Sequence, residues 1–147
     1  MTLAQIIELM LTAIMAVFLA YIAYQQMAIN RKKLALELYN KRFKVYSDTL
    51  CFYQELVEGD VSKEVHRAFI GSKAASKFLF SQDPSIFELL DTMHSESFKS
   101  IGFKRHGKEW EGTPDYFETA KVSQETIFWL GKQITLLKNK MAPYLNQ

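Results

Sequence analysis

The sequence predicts an all-α protein: a single N-terminal transmembrane helix that continues into a cytoplasmic antiparallel helical bundle. Three observations predict it. Residues 6–24 are apolar except for Glu8 and Thr12. Beyond them, apolar residues recur at alternating spacings of three and four, and no segment alternates with a period of two. Only 6 Gly and 3 Pro interrupt 147 residues, so long helices meet few breakers. Hydrophobic residues at 48% and charged residues at 23% fit a globular chain and exclude bulk disorder.

The first element is the anchor, assigned to residues 1–28, with the bundle over 29–147. At ~1.5 Å rise per residue, residues 6–24 cover roughly the ~30 Å hydrocarbon core of a bilayer. A cleaved signal peptide would carry a positive leader, and Met1 to Gln5 has no Lys or Arg. The basic residues instead follow the span, as Arg31, Lys32 and Lys33 and then Lys41, Arg42 and Lys44. Positive charge is retained on the cytoplasmic side, which predicts an outside N-terminus and a cytoplasmic C-terminal domain. The same six residues form the expected membrane-surface cluster, facing an anionic inner leaflet.

Gln5, Thr12, Ala16 and Ala23 succeed one another at spacings of seven and four, with Ala20 beside them and Glu8 at the outer edge. Small residues let membrane helices approach closely, and polar ones bond across the contact. Gln5, Glu8, Thr12, Ala16, Ala20 and Ala23 are therefore the candidate oligomer interface. The alternative is that alanine is common in membrane helices and that Glu8 is an ordinary interfacial residue.

The next stretch carries the row Leu36, Tyr39, Phe43, Tyr46, Leu50, Tyr53 and Val57, widened by Leu34, Leu38, Val45, Phe52 and Leu56. This is expected to be the bundle-facing stripe of the first helix, and Cys51 to be packed within it. Gly59 is expected to end the helix, and Asp60 or Ser62 to cap the next. Residues 62–80 predict one helix broken near Gly71-Ser72 or two short ones, with Val65, Phe69, Phe78 and Leu79 as apolar contacts. Asp83-Pro84 is a helix start. Ile86, Leu90, Met93 and Ile101 form its row, His94 lies at the bundle edge, and the helix is expected to end near Gly102. Residues 104–115 predict an exposed loop in which Lys104, Arg105, Lys108 and Trp110 are candidate partner contacts. A last helix with Thr113 as its cap carries Phe117, Ala120, Ile127, Leu130, Ile134, Leu137 and Met141, and Pro143 is expected to stop it. The expected domain is thus three long helices plus a short pair, with the first and last as neighbours.

The pattern carries no catalytic chemistry. Phosphate loops and dinucleotide fingerprints are missing from the sequence, and the one cysteine and three scattered histidines lack zinc-ligand spacing. No enzyme activity, cofactor or metal is expected. The net charge of +2 is too small to argue for nucleic acid by itself, and no nucleic-acid partner is expected.

The passage Arg31–Tyr46 resembles a Leu-x-Leu-x-Leu-Phe-Asp-Arg-Arg-Phe-x-Val-Tyr-like run found after the membrane helix of an uncharacterised family of small bacterial membrane proteins. Tyr39 and Asn40 replace the usual Phe-Asp. Lys77-Phe78-Leu79-Phe80 and Ala142-Pro143-Tyr144-Leu145 are similar to two further motifs of that family, in the same order. The resemblance implies a bacterial inner-membrane protein of this architecture and carries no catalytic residues across. The functional expectation is self-association or partner scaffolding at the membrane. The alternative is an oligomeric effector that forms a pore or perturbs the bilayer.

Overall fold

In the computed structural model, which describes residues 2–145, the chain is all-α: α1 (Leu3–Glu58), α2 (Lys63–Leu79), α3 (Pro84–His106), a 3-10 helix (Gly107–Trp110) and α4 (Pro114–Leu145). There is no strand among the described residues. Packing divides the chain after Glu37.

The first unit is a helical stretch long and apolar enough to cross a membrane, with none of its apolar window buried. Two of its polar side chains bond within the helix. The Thr12 hydroxyl donates to the Glu8 carbonyl at 2.8 Å, and the Gln25 amide donates to the Tyr21 oxygen at 2.9 Å. Local bonding of this kind reduces the cost of carrying such groups in an apolar phase.

The second unit is a helical bundle. The α1 residues that enter its core are Val45, Thr49, Phe52 and Leu56. Tyr46, Leu50 and Tyr53 only flank them, while Tyr39, Phe43 and Val57 remain 40%, 45% and 44% exposed. Of the expected stripe, the widening positions Val45, Phe52 and Leu56 are the ones buried, while the stricter row lies at the edge of the contact or outside it. The buried row contains Thr49, whose hydroxyl donates to the Val45 carbonyl at 2.7 Å and so enters the core satisfied. Cys51 is exposed, not packed.

Several boundaries also move. Ser62 caps α2 by accepting from the Val65 N–H, and it donates to the Glu55 carboxylate at 2.9 Å. The α2 helix runs unbroken through Gly71-Ser72, with Ser72 and Ser76 buried. Phe78 is 81% exposed, contrary to its expected contact role. Asp83 caps α3 through the Ser85 N–H, and Pro84 occupies the first turn. This helix continues past Gly102 to His106, and the 3-10 turn follows at once. Gly112, at φ +88°, reverses the chain in a conformation that favours glycine. The Thr113 hydroxyl turns back to the Trp110 carbonyl instead of capping α4. Pro143 lies inside the last turn of α4, two residues before the helix ends at Leu145. Phe117 is 77% exposed and outside the core.

The helices α3 and α4 pack antiparallel. Ser100 meets Ser123 at 2.9 Å near one end, and Lys140 donates to Ser85 at 2.7 Å near the other. Between them lie Ile86, Leu90, Met93, Leu130, Leu137 and Met141, all at or below 1% exposure. The bundle portion of α1 borders α4 as expected. A Cβ on Gly131 would stand 2.8 Å from the Tyr53 hydroxyl, so glycine permits this approach.

Candidate functional site

Two side-chain constellations stand out in the bundle, and neither shows in sequence spacing. The first joins α2 and α3. His66 and His94 meet Nε2 to Nε2 at 3.0 Å. Lys73 Nζ lies 3.2 Å from His94 Nδ1 and 2.7 Å from an Asp91 oxygen. A lysine ammonium only donates, so His94 Nδ1 accepts. The ring proton of His94 therefore sits on Nε2 and is donated to His66 Nε2, leaving His66 protonated at Nδ1. The sequence Asp91, Lys73, His94, His66 is a continuous hydrogen-bonded chain whose direction the lysine sets.

The rings sit against phenyl groups. Phe69 stacks on Phe52 at 4.4 Å and meets His94 edge-on at 5.5 Å, and Phe98 lies 5.0 Å from His94. Burial first, and then the Lys73 charge and His66, hold His94 below its ordinary pKa, with Asp91 opposing. Burial and then Arg105 lower His66. The Lys73 bond and charge lower Asp91. A second proton on either ring disrupts the chain: on His66 Nε2 it would set two N–H groups facing each other across 3.0 Å, and on His94 Nδ1 it would cost Lys73 its acceptor.

The unfolded chain, with ordinary imidazoles, therefore binds more protons than the folded one below about pH 6.5. Bundle stability is complete above that value and falls as the pH drops through the lowered histidine values. Asp91 contributes with the same sign only below the ordinary carboxylate range. Thermal melts between pH 7 and pH 5 should show a falling midpoint, and His66→Gln should flatten the slope. An equal slope in that variant would remove the pair as its cause.

The second constellation surrounds Arg42. Its Nη1 donates to the Tyr144 carbonyl at 2.9 Å and its Nε to the Leu79 carbonyl at 3.3 Å. The guanidinium lies 5.9 Å from the Phe80 ring centre and 5.6 Å from that of Tyr144. One α1 side chain thereby binds carbonyls at the C-terminal ends of both α2 and α4. Three stretches distant in sequence converge here: α1 supplies the cation, Leu79-Phe80 one carbonyl and ring, and Tyr144 the other.

Arg42, half-buried, is therefore bound to the ends of two bundle helices. Lys44 bonds Asp48 at 2.8 Å, and Asp48 also accepts from buried Ser72. Lys44, Val45, Gly71, Ala75, Phe78 and Leu79 border an apolar groove of about 460 Å³ between α1 and α2. Arg31, Lys32 and Lys33 are exposed on α1 directly after the apolar span.

The expected partner loop is helical. Lys104 and Arg105 are in the last turn of α3, and Lys108 and Trp110 are in the 3-10 helix. Arg105 bonds Asp60 at 2.9 Å, Lys104 approaches the Val57 carbonyl at 3.5 Å, and half-buried Trp110 lies 6.5 Å from the His106 ring. The Arg105 and Lys104 contacts join the end of α3 to the turn after α1, while Lys104, Arg105 and Lys108 remain exposed. In the first unit, Gln5, Glu8, Thr12, Ala16, Ala20 and Ala23 are all exposed, with Gln5 accepting from the Thr2 N–H at 2.9 Å. Comparison with known protein families, characterised proteins and solved structures finds no match to this chain.

Proposed function

We propose that the chain is a membrane-anchored, non-enzymatic helical protein that acts by self-association or partner scaffolding at a bacterial inner membrane, its bundle on the cytoplasmic side. The observation that carries this reading is the first unit itself. A long apolar helix has no buried residue in its apolar window, and it carries one row of small and polar residues, Gln5, Glu8, Thr12, Ala16, Ala20 and Ala23. In lipid, such a row favours helix contact, since small side chains bring backbones together and polar ones find partners across the interface. The basic residues Arg31, Lys32 and Lys33 support the orientation and a contact with anionic lipid.

A second reading, an oligomeric effector that perturbs the membrane, draws on the polar outer half of that row. Thr12 already spends its hydroxyl on the Glu8 carbonyl, while the Glu8 carboxylate stays exposed. Ionisable groups within a span commonly mark a conducting or relay path.

Light scattering of the detergent-solubilised protein, with detergent mass subtracted, tests both readings. A discrete oligomer should form, and Ala16→Leu with Ala20→Leu should shift it to monomer. Dye leakage from cells that disappears with the oligomer would favour the effector. A monomeric wild type would overturn self-association and leave partner scaffolding.

A further inference from the structure

The face of α1 turned away from the bundle core has a repeat of its own. Asn40, Phe43, Ser47, Leu50, Gln54 and Val57 follow one another at spacings of three, four, three, four and three. Phe43 and Val57 are 45% and 44% exposed, and Asn40, Ser47 and Gln54 are exposed as well. Only Leu50 is partly covered. This is a heptad seam over nearly three repeats, with one apolar row and one row of amides and a hydroxyl. Its period is the one that keeps a face turned toward another helix.

We propose that this face binds the same face of a second copy, forming a parallel pair of α1 helices. The inference rests on the membrane-anchored, self-associating reading above. Three features identify the occupant. The seam contains no charged residue, so two identical faces meet without like-charge repulsion, and charge depletion marks the centre of a contact. Asn40 and Gln54 end in amides that both donate and accept, so each bonds its own counterpart across a two-fold axis, and such polar positions fix register and a two-stranded state. Copies anchored in one bilayer also enter the cytoplasm in the same direction, which is the alignment the amide pairing needs.

The size of the patch fits such a pair. Tyr39, stacked on Phe43 at 6.1 Å, adds to the apolar row. Together Tyr39, Phe43 and Val57 expose on the order of 300 Å², the lower end of what marks a contact surface. That is below the ~800 Å² per partner of a free-standing complex. The pair therefore depends on the membrane, which confines both chains and raises their effective concentration.

Cysteine cross-linking of the full chain in membranes tests the proposal. With Cys51→Ser removing the natural thiol, Phe43→Cys and Ser47→Cys each test the seam, and Glu64→Cys on α2 is the control. Mild oxidation should give at least tenfold more disulfide dimer at positions 43 and 47 than at 64. Phe43→Glu should reduce dimer formation by Ser47→Cys about tenfold and leave the melting temperature unchanged. Cross-linking no stronger on the seam than at position 64, in a protein whose mass is oligomeric, overturns this interface alone. A monomeric mass overturns both the interface and the self-association on which it rests.

Discussion

Arg42→Ala is expected to destabilise the bundle by about 3 kcal/mol, measured by denaturant unfolding of the detergent-solubilised chain. The last carbonyls of a helix have no partner within it, and the helix dipole concentrates partial negative charge there. Arg42 meets this need at two helices, through the Leu79 carbonyl at the end of α2 and the Tyr144 carbonyl at the end of α4. A hydrogen bond to a charged group contributes ~1.5–3 kcal/mol, and the flanking Phe80 and Tyr144 rings add ~0.5–1 kcal/mol through cation–π attraction. Alanine removes all of it and leaves two half-covered carbonyls. Lysine restores the charge but is a single point donor, so Arg42→Lys should recover less than half of the loss. If the lysine variant matches wild type, bridging two helix ends is not what Arg42 contributes.

Arg42 also shows why parts of this molecule could not be read in advance. In the sequence it is one of six basic residues after an apolar span, and nothing local separates it from Lys41 or Lys44. Its partners lie 37 and 102 residues away. The His66–His94 contact spans 28 residues and has no spacing signature either. Local features were legible: the span, the Gly59 boundary and the Asp83-Pro84 start depend on neighbouring residues and appear where the pattern puts them. The buried face of α1 was legible only in part: Val45, Phe52 and Leu56 belong to the expected stripe, and Thr49 does not. Two apolar rows run along that helix; the one with the stricter repeat contains only aromatic and aliphatic residues, while the other contains Thr49. Hydropathy favours the first. Yet Thr49, Ser76 and Ser97 satisfy their hydroxyls on nearby backbone carbonyls and are small enough for close helix contact, so they bury at little cost. The small polar residues Ser100, Ser123 and Thr126 give the contact between α3 and α4 the same character, and a search for apolar stripes passes over all of them.

The variant expected to cost most is Phe69→Ala, about 4 kcal/mol, because Phe69 is fully buried and stacked on Phe52 at 4.4 Å. A Phe-to-Ala change in a core loses the transfer energy of the ring and leaves a cavity, ~3–5 kcal/mol in all. This is a large fraction of the ~5–15 kcal/mol by which domains are stable. The same ring covers one side of His94, and burial is the first cause of that histidine's lowered pKa. Phe69→Ala should therefore do two things at once. It should lower the unfolding midpoint, and it should move the His94 titration, followed by NMR of its ring protons in protein kept folded at low temperature, back toward the ordinary imidazole value near 6.5. The two effects separate the forces acting on the site. Phe69→Leu keeps most of the cover and should cost much less while leaving His94 depressed. A large loss of stability with an unmoved His94 would assign the depression to the Lys73 ammonium at 3.2 Å. In that case Lys73→Met, which removes the charge and keeps the length of the side chain, should raise the His94 pKa where Phe69→Ala did not. If the ring is the cause, the acid response of the bundle is a property of its hydrophobic core, set by how tightly α1 and α2 hold two phenyl rings over two imidazoles.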